Sequence, residues 1–272
     1  MPILSVSFYR SYPEVECASD DDIQDEEYMT ELRETSMVGI AGCKGSGKDT
    51  LADALLAKLM VNRHDKPLNI KRVAWAAEVK AIIMNYFGVS ETFINYWKRR
   101  NETPPGFLKP MRELLQHVGD LRTFQSDVWV NATLSSLSSD TAATAVTETT
   151  EPNVHPLLAV ADTHDLVIIT DLRYENECKA VRARGGIVIL VGRHPQKQSH
   201  HTHSSEQFFA ELTTWLLRNT TAAIVVVDSL DLSSAPPSAA YVDYFVRNDE
   251  GLDVLSDSAY RIAQQLAFAK TN

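Results

Sequence analysis

An α/β fold, a parallel sheet flanked by helices, is predicted by three observations. Ser36–Ala41 is a short apolar run suited to a buried strand. It ends in a glycine-rich loop, Gly42–Lys48, and the next segment has Leu51, Leu55, Leu56 and Leu59 at helical spacing. Asp165–Asp171 reads as a strand buried on both faces with a carboxylate at its C-terminal end. Tyr174–Arg184 is helical in pattern, Gly185-Gly186 breaks it, and Ile187–Val191 is apolar again. A strand–helix–strand unit of this kind produces a parallel pair.

The other elements follow in order. Ile70–Trp75 is a second strand, and Ala76–Phe87 a helix closed by Gly88. The stretch after it, with Lys98, Arg99, Arg100, Pro104, Pro105, Gly106, Lys109 and Pro110, reads as a basic, proline-rich loop. Met111–Arg122 places Leu114, Leu115, Val118 and Leu121 on one helical face, and a further helix covers about Asp127–Leu137. Residues 138–164 are Ser/Thr/Ala/Pro-rich and read as a long surface insertion. Arg193–Ser205 is polar and carries four histidines. Ala210–Leu217 is a helix, Ile224–Val227 and Tyr241–Val246 are strands, and Asp257–Ala269 is the closing helix. Residues 1–34 form an acidic N-terminal extension, with Asp20–Asp22 and Asp25–Glu27 concentrating its charge.

Composition narrows the class. A chain of 272 residues, 44% of them hydrophobic, suits one large domain, here 35–272. No apolar run approaches the ~20 residues of a membrane span, and Met1–Arg10 lacks the pattern of a signal peptide. Cys17, Cys43 and Cys178 have no metal or redox spacing, which points to a reducing, cytoplasmic setting. The net charge of −10 argues against holding duplex nucleic acid by its backbone.

The loop Gly42-Cys43-Lys44-Gly45-Ser46-Gly47-Lys48 fits the phosphate-binding pattern G-x-x-x-x-G-K. Its glycines let consecutive N–H groups face the phosphates, and the helix that follows adds a positive N-terminus. Lys48 would neutralise the β- and γ-phosphates of a nucleoside triphosphate, most naturally ATP. Asp49 stands where Ser or Thr usually meets magnesium, and Thr50 is next. Either Asp49 or the Thr50 hydroxyl serves the metal, or Asp49 caps the helix.

Three further blocks accompany Gly47-Lys48-Asp49-Thr50. Arg112-Glu113-Leu114-Leu115-Gln116-His117-Val118-Gly119-Asp120 precedes Asp127-Val128-Trp129-Val130. Val167–Asp171 runs on into Leu172-Arg173-Tyr174-Glu175-Asn176-Glu177. His203-Ser204-Ser205-Glu206 comes ahead of Asn248-Asp249. In this order the blocks resemble the bacteriophage deoxynucleoside monophosphate kinase family, with insertions near 138–164 and 207–240. The resemblance implies a P-loop kinase fold with a helical substrate-binding and lid region. It also implies transfer of the ATP γ-phosphoryl group to a deoxynucleoside monophosphate with magnesium, and it allows a homodimer.

Individual roles follow, each with its plainer alternative. Lys44 would contact the acceptor phosphate or be a solvated loop lysine. Lys80, beside Val79 on the helix after the second strand, is placed at the monophosphate by the resemblance; otherwise it faces solvent. The fork of Arg112 suits the acceptor phosphate, against an ion pair with Glu113. Gln116, at i+4, shares its face and could bond a base edge. Gly119 would allow close approach of the base, and Trp129 would stack on it or lie in the core. Asp171 resembles a magnesium-holding carboxylate or a helix cap, and Arg173 would approach the transferring phosphoryl or pair with Glu175 or Glu177. Arg193 would supply lid charge. The resemblance sets Asn248 near the adenine and lets His203 and Glu206 order the lid. The rival reading is a kinase of a modified base or polynucleotide end, with Lys98-Arg99-Arg100 on the backbone; a small-metabolite kinase of similar architecture is the third, and a non-enzymatic nucleotide switch is the non-catalytic one.

Overall fold

The computed structural model describes residues 33–34, 36–61, 68–139, 164–194, 207–249 and 251–267. The acidic extension up to 32, the stretch 140–163 and the histidine-bearing stretch 195–206, with His203 and Glu206, lie outside the described residues.

The strands are β1 (Arg33–Glu34), β2 (Met37–Ala41), β3 (Ile70–Val73), β4 (Leu166–Leu172), β5 (Ile187–Gly192), β6 (Ile224–Val226), β7 (Tyr244–Arg247) and β8 (Leu266–Ala267). The helices are α1 (Lys48–Val61), α2 (Ala76–Phe87), α3 (Glu91–Arg100), α4 (Met111–Gly119), α5 (Val128–Ser139), α6 (Glu175–Arg182), α7 (Gln207–Asn219) and α8 (Leu252–Gln265). Six strands form the main sheet in the order β3-β4-β2-β5-β7-β6, and β1 pairs with β8 apart from it. All neighbours from β3 to β7 run parallel, whereas β6 is antiparallel to β7. The expected parallel sheet is therefore a mixed one: the edge strand reverses because the chain from α7 re-enters the sheet beside β7 from the opposite end.

Every residue of β2 and β5 is buried, which explains their unbroken apolar runs. On one face Leu51, Leu55 and Leu59 of α1 pack with Leu255, Ala259 and Ile262 of α8 over Val38, Ile40 and Ile189. On the other, Leu134, Val181, Leu212 and Leu216 from α5, α6 and α7 cover Met37, Ile169 and Val188. Each such side chain contributes about 1.5–3 kcal/mol by leaving water. A third cluster, Val79, Ile83, Ile94, Met111 and Trp129, joins α2, α3, α4 and α5 into a helical layer of its own.

Two sequence expectations are corrected in that layer. The basic loop is in part a helix: the Ser90 hydroxyl accepts the Phe93 N–H at 3.1 Å as an N-cap, Ile94 is buried, and Asn101 closes α3 at a φ of 58°. Lys98, Arg99 and Arg100 then occupy its last turn, where the helix dipole favours cations. The helix starting at Met111 stops at Gly119 and tightens into a 3-10 turn, Asp120–Thr123, which leaves Leu121 exposed rather than on the buried face.

Sheet order creates the site. The chain leaves β2 toward β3 on one side, and after β4 it crosses to β5 on the other. A crevice opens at the carboxyl ends of strands where such paths diverge. Between β2 and β4 the register slips by one residue, from Gly39 opposite Ile169 to Ala41 opposite Leu172. A slip of this kind re-aims a side chain beside a site, and here it falls at Thr170 and Asp171.

Candidate active site

The glycine loop leaves β2 and enters α1 as the sequence requires. Gly42 has a φ of 151°, and a Cβ there would stand 2.6 Å from the Val191 carbonyl. Gly47 has a φ of 99°, and its Cβ would fall 2.4 Å from the Asn248 amide nitrogen. A side chain fits neither position. Ser46 is buried with its backbone N–H on the Cys43 carbonyl, and its hydroxyl has no hydrogen-bond partner among the described residues. Lys48 opens α1, Thr50 is half-buried in the first turn, and Lys44 and Gly45 are exposed at the loop's tip.

Asn248 supports this loop. Its backbone N–H continues the sheet to the Gly192 carbonyl at 2.8 Å, and its side-chain amide donates to the Ser46 carbonyl at 2.8 Å. The amide reaches this position because Gly47 has no side chain to keep it away. Arg193, the next residue after β5, is exposed. His194 donates its backbone N–H to Asp249 at 2.8 Å, and its ring nitrogen Nδ1 lies 2.6 Å from the same carboxylate.

Asp171 ends a central strand, and both its oxygens accept backbone N–H groups at the start of α2: Trp75 at 2.8 Å and Ala76 at 3.0 Å. It is a cap across the chain. Burial pushes its carboxyl above the usual carboxylate range, while those two N–H groups and the charges of Arg173 and Lys48 oppose the shift. Asp49 is engaged otherwise. Arg72 of β3 holds one of its oxygens at 2.9 Å and also pairs with Asp53. Among the described residues no group of three or more His, Cys, Asp or Glu could hold a metal by protein ligands alone. Magnesium needs fewer, keeping several waters and taking one or two carboxylates with the phosphates. Asp171 fits that part, since each oxygen retains a lone pair.

Around Lys98 the structure brings the charges of three other cations and of Asp171 within reach. Lys98 lies at the end of α3, Lys80 on α2, Arg112 on α4, and Arg173 just past β4. Lys98 is exposed, yet desolvation by the helices around its stem lowers its ammonium below the usual lysine range, and the charges of Lys80, Arg173 and Arg112 lower it further, with Asp171 opposing. Arg112 donates to the Lys98 carbonyl at 3.4 Å, and Glu113 pairs with Lys109 rather than with Arg112. Lys80 holds Glu91 at 2.8 Å, and that bond draws the Glu91 carboxyl below the usual range. Glu175 pairs with Lys179 at 2.7 Å, and Glu177 takes the backbone N–H of Arg173 rather than its side chain. A cluster of like charges is unfavourable by itself and is relieved by a polyanion.

Lys98 is the residue that sequence reasoning missed as a member of this group. Its signal was present: Ser90 as a cap and Phe93, Ile94 and Trp97 at helical spacing, which fix the turn that delivers Lys98. Gln116 is exposed one turn beyond Arg112. One expectation is decided here. Trp129 is a core residue, 3% exposed, whose indole donates to the Gly119 carbonyl at 2.9 Å; no face remains for a base. Val79 lies beside it in the same cluster. Gly119 serves through its carbonyl, although its Cα faces open space.

No family model matches the chain. It is similar to a protein of Acanthamoeba polyphaga mimivirus provisionally named a deoxynucleotide monophosphate kinase. They are 27% identical over 186 residues, which span 62% of this chain and 80% of that protein. Two solved structures align over 86% of the chain: shikimate kinase from Acinetobacter baumannii (TM-score 0.36, 15% identity, 93% of that chain) and a sugar kinase from Janibacter sp. (0.33, 12%, 99%). Both likenesses are distant, and the fold stands on the chain's own strand order and phosphate loop. Among the described residues no helix is long and apolar enough to cross a membrane.

Proposed function

We propose that the protein is a kinase that transfers the ATP γ-phosphoryl group to a deoxynucleoside monophosphate, giving a deoxynucleoside diphosphate and ADP. The observation that carries this reading is the cation cluster of Lys80, Lys98, Arg112 and Arg173 within reach of Asp171, whose carboxyl also senses Lys48 at the base of the phosphate loop. A triphosphate needs only the loop. A second group of cations, on helices separate from it, suits a second phosphate-bearing substrate. The name of the mimivirus relative supports the choice of a deoxynucleotide acceptor.

In this reading the triphosphate lies on the Gly42–Thr50 loop with its β- and γ-phosphates on Lys48 and the Ser46 hydroxyl. Arg112, Lys98 and Lys80 hold the acceptor phosphate, and Gln116 and Lys44 lie at its approaches. An acceptor phosphate oxygen forms the new bond to the γ-phosphorus, and the bond to the oxygen shared with the β-phosphate breaks, leaving the electron pair on ADP. Arg173 carries charge on the moving group, and Arg193 does so from the lid side. Magnesium, held through Asp171 with the Thr50 hydroxyl, would neutralise the phosphate oxygens. The polynucleotide alternative needs Lys98-Arg99-Arg100 as a continuous strip. Lys98 instead joins the cluster, while Arg100 pairs with Glu102 and lies over the Tyr96 ring.

The test is acceptor-dependent ADP release measured across dGMP, dTMP, dAMP and dCMP with ATP and magnesium. At least one acceptor raises the rate well above the ATP-only blank, and Lys48→Ala removes that stimulation by about a hundredfold or more. ADP release that no acceptor stimulates, or full turnover by K48A, refutes the reading.

A further inference from the structure

Helix α4 carries Arg112 and Gln116, and the segment after β4 carries Asp171 and Arg173. Arg122 is one side chain that links these two halves of the site. Arg122, in the 3-10 turn after α4, donates from Nε to the Gly119 carbonyl at 3.1 Å, which ties it to the end of α4. Its guanidinium carbon stands 4.0 Å from the centre of the Tyr174 ring. Its Nη1 lies 3.8 Å from Glu177 Oε1.

Tyr174 and Glu177 in turn hold the segment that bears Arg173. Glu177 is 3% exposed, and its Oε2 accepts the N–H of Arg173 at 2.6 Å and of Tyr174 at 3.2 Å. The backbone of Arg173 is thus fastened to a carboxylate that faces Arg122. A second tie runs in parallel: Asn176 donates to the Ser126 carbonyl at 3.0 Å and to Asp127 at 2.9 Å. The Asn176 tie anchors the start of α5, whereas the Arg122 tie ends on α4 itself.

We infer that Arg122 is a positioning residue that couples the seating of the acceptor on α4 to the placement of Arg173 for phosphoryl transfer. The inference rests on the kinase reading above. Its physical basis is the planar guanidinium, which stacks on the Tyr174 ring and directs N–H groups at two different elements at once. A lysine keeps the charge but not the plane. In the kinase reading the acceptor phosphate is held by Arg112, Lys98 and Lys80, so loss of Arg122 acts on the transfer step and not on acceptor affinity.

The experiment is steady-state kinetics of the full chain with the best acceptor from the assay above, for Arg122→Ala, Arg122→Lys, Tyr174→Leu and the Arg122→Ala/Tyr174→Leu pair. In R122A, kcat falls about ten- to hundredfold while the acceptor KM stays within about twofold, as misplacement of a reacting group does. R122K recovers only part of the loss. The double variant loses no more than the worse single one, because both remove the same contact. Wild-type kcat in R122A, a rise in acceptor KM at unchanged kcat, or additive losses in the pair overturns the inference. Should R122A unfold, R122K and Y174L decide by the same kcat and KM criteria. If the wild-type chain lacks acceptor-stimulated turnover, the kinase reading itself is what fails.

Discussion

Lys98 shows how a residue's role follows from its surroundings. In isolation it is one of three consecutive cations at a helix end; in place its charge is opposed first by desolvation and then by Lys80, Arg173 and Arg112. A group so opposed gains most when an anion arrives. Lys98→Ala is therefore expected to lower kcat/KM for the acceptor about ten- to hundredfold, the range for one charge-assisted hydrogen bond. The KM for ATP should stay within about twofold. Steady-state titration of each substrate separates the two, and a larger effect on ATP refutes the assignment. Arg112 and Arg173 were legible as cations in the sequence because charge type and block order announce them. Trp129 was not legible in the same way, since an aromatic ring next to a site and one in a core have the same local pattern. Its burial and its bond to Gly119 decide for the core.

Element-scale behaviour is clearest at the N-terminus of α6. Glu177 sits at the third position of that helix and satisfies N–H groups that precede it, which makes it a cap as well as the brace of the Arg173 backbone. Burial pushes its carboxyl up to about 7 from the usual 4.5, the nearby Asp171 charge adding to this while the two N–H groups and Arg122 oppose it. Near pH 4 and below, Glu177 is protonated in both folded and unfolded chains. As pH rises toward 7, the unfolded chain releases that proton while the folded chain keeps it, so this group's contribution to stability declines through the window and levels off above it. Glu177→Gln removes the titration. Thermal melts between about pH 4.5 and 8 should show a flatter profile for E177Q than for the wild type; an unchanged slope refutes the shift. The same scale explains why α3 escaped the sequence reading. Pro104, Pro105 and Gly106 lie close behind a short helix, and their turn signal outweighed a cap and three apolar positions.

For the whole molecule, the sheet order is what brings the phosphate loop of β2 and the carboxylate of β4 to one edge, with β7 closing the loop's far side. Asn248→Ala tests that last support. It leaves the Ser46 carbonyl without its side-chain donor and costs about 1–3 kcal/mol of stability. It should raise the ATP KM more than the acceptor KM, since the kinase reading assigns the loop to ATP. Denaturant unfolding and two-substrate kinetics measure both, and an ATP KM equal to wild type sinks the role. The chain's contiguous residues determined the strand–loop–helix unit, the parallel core strands and the phosphate-binding chemistry of Gly42–Lys48. Periodicity, burial and the steric need for glycine are all written locally. Only the tertiary structure decided that Asp171 caps α2 across 96 positions and that Asn248 holds Ser46 across 202. It also decided that Asp49 belongs to Arg72 and that Lys98 joins Lys80, Arg112 and Arg173. Those outcomes depend on which segments meet after the sheet assembles, and no spacing along the chain encodes a contact of that reach.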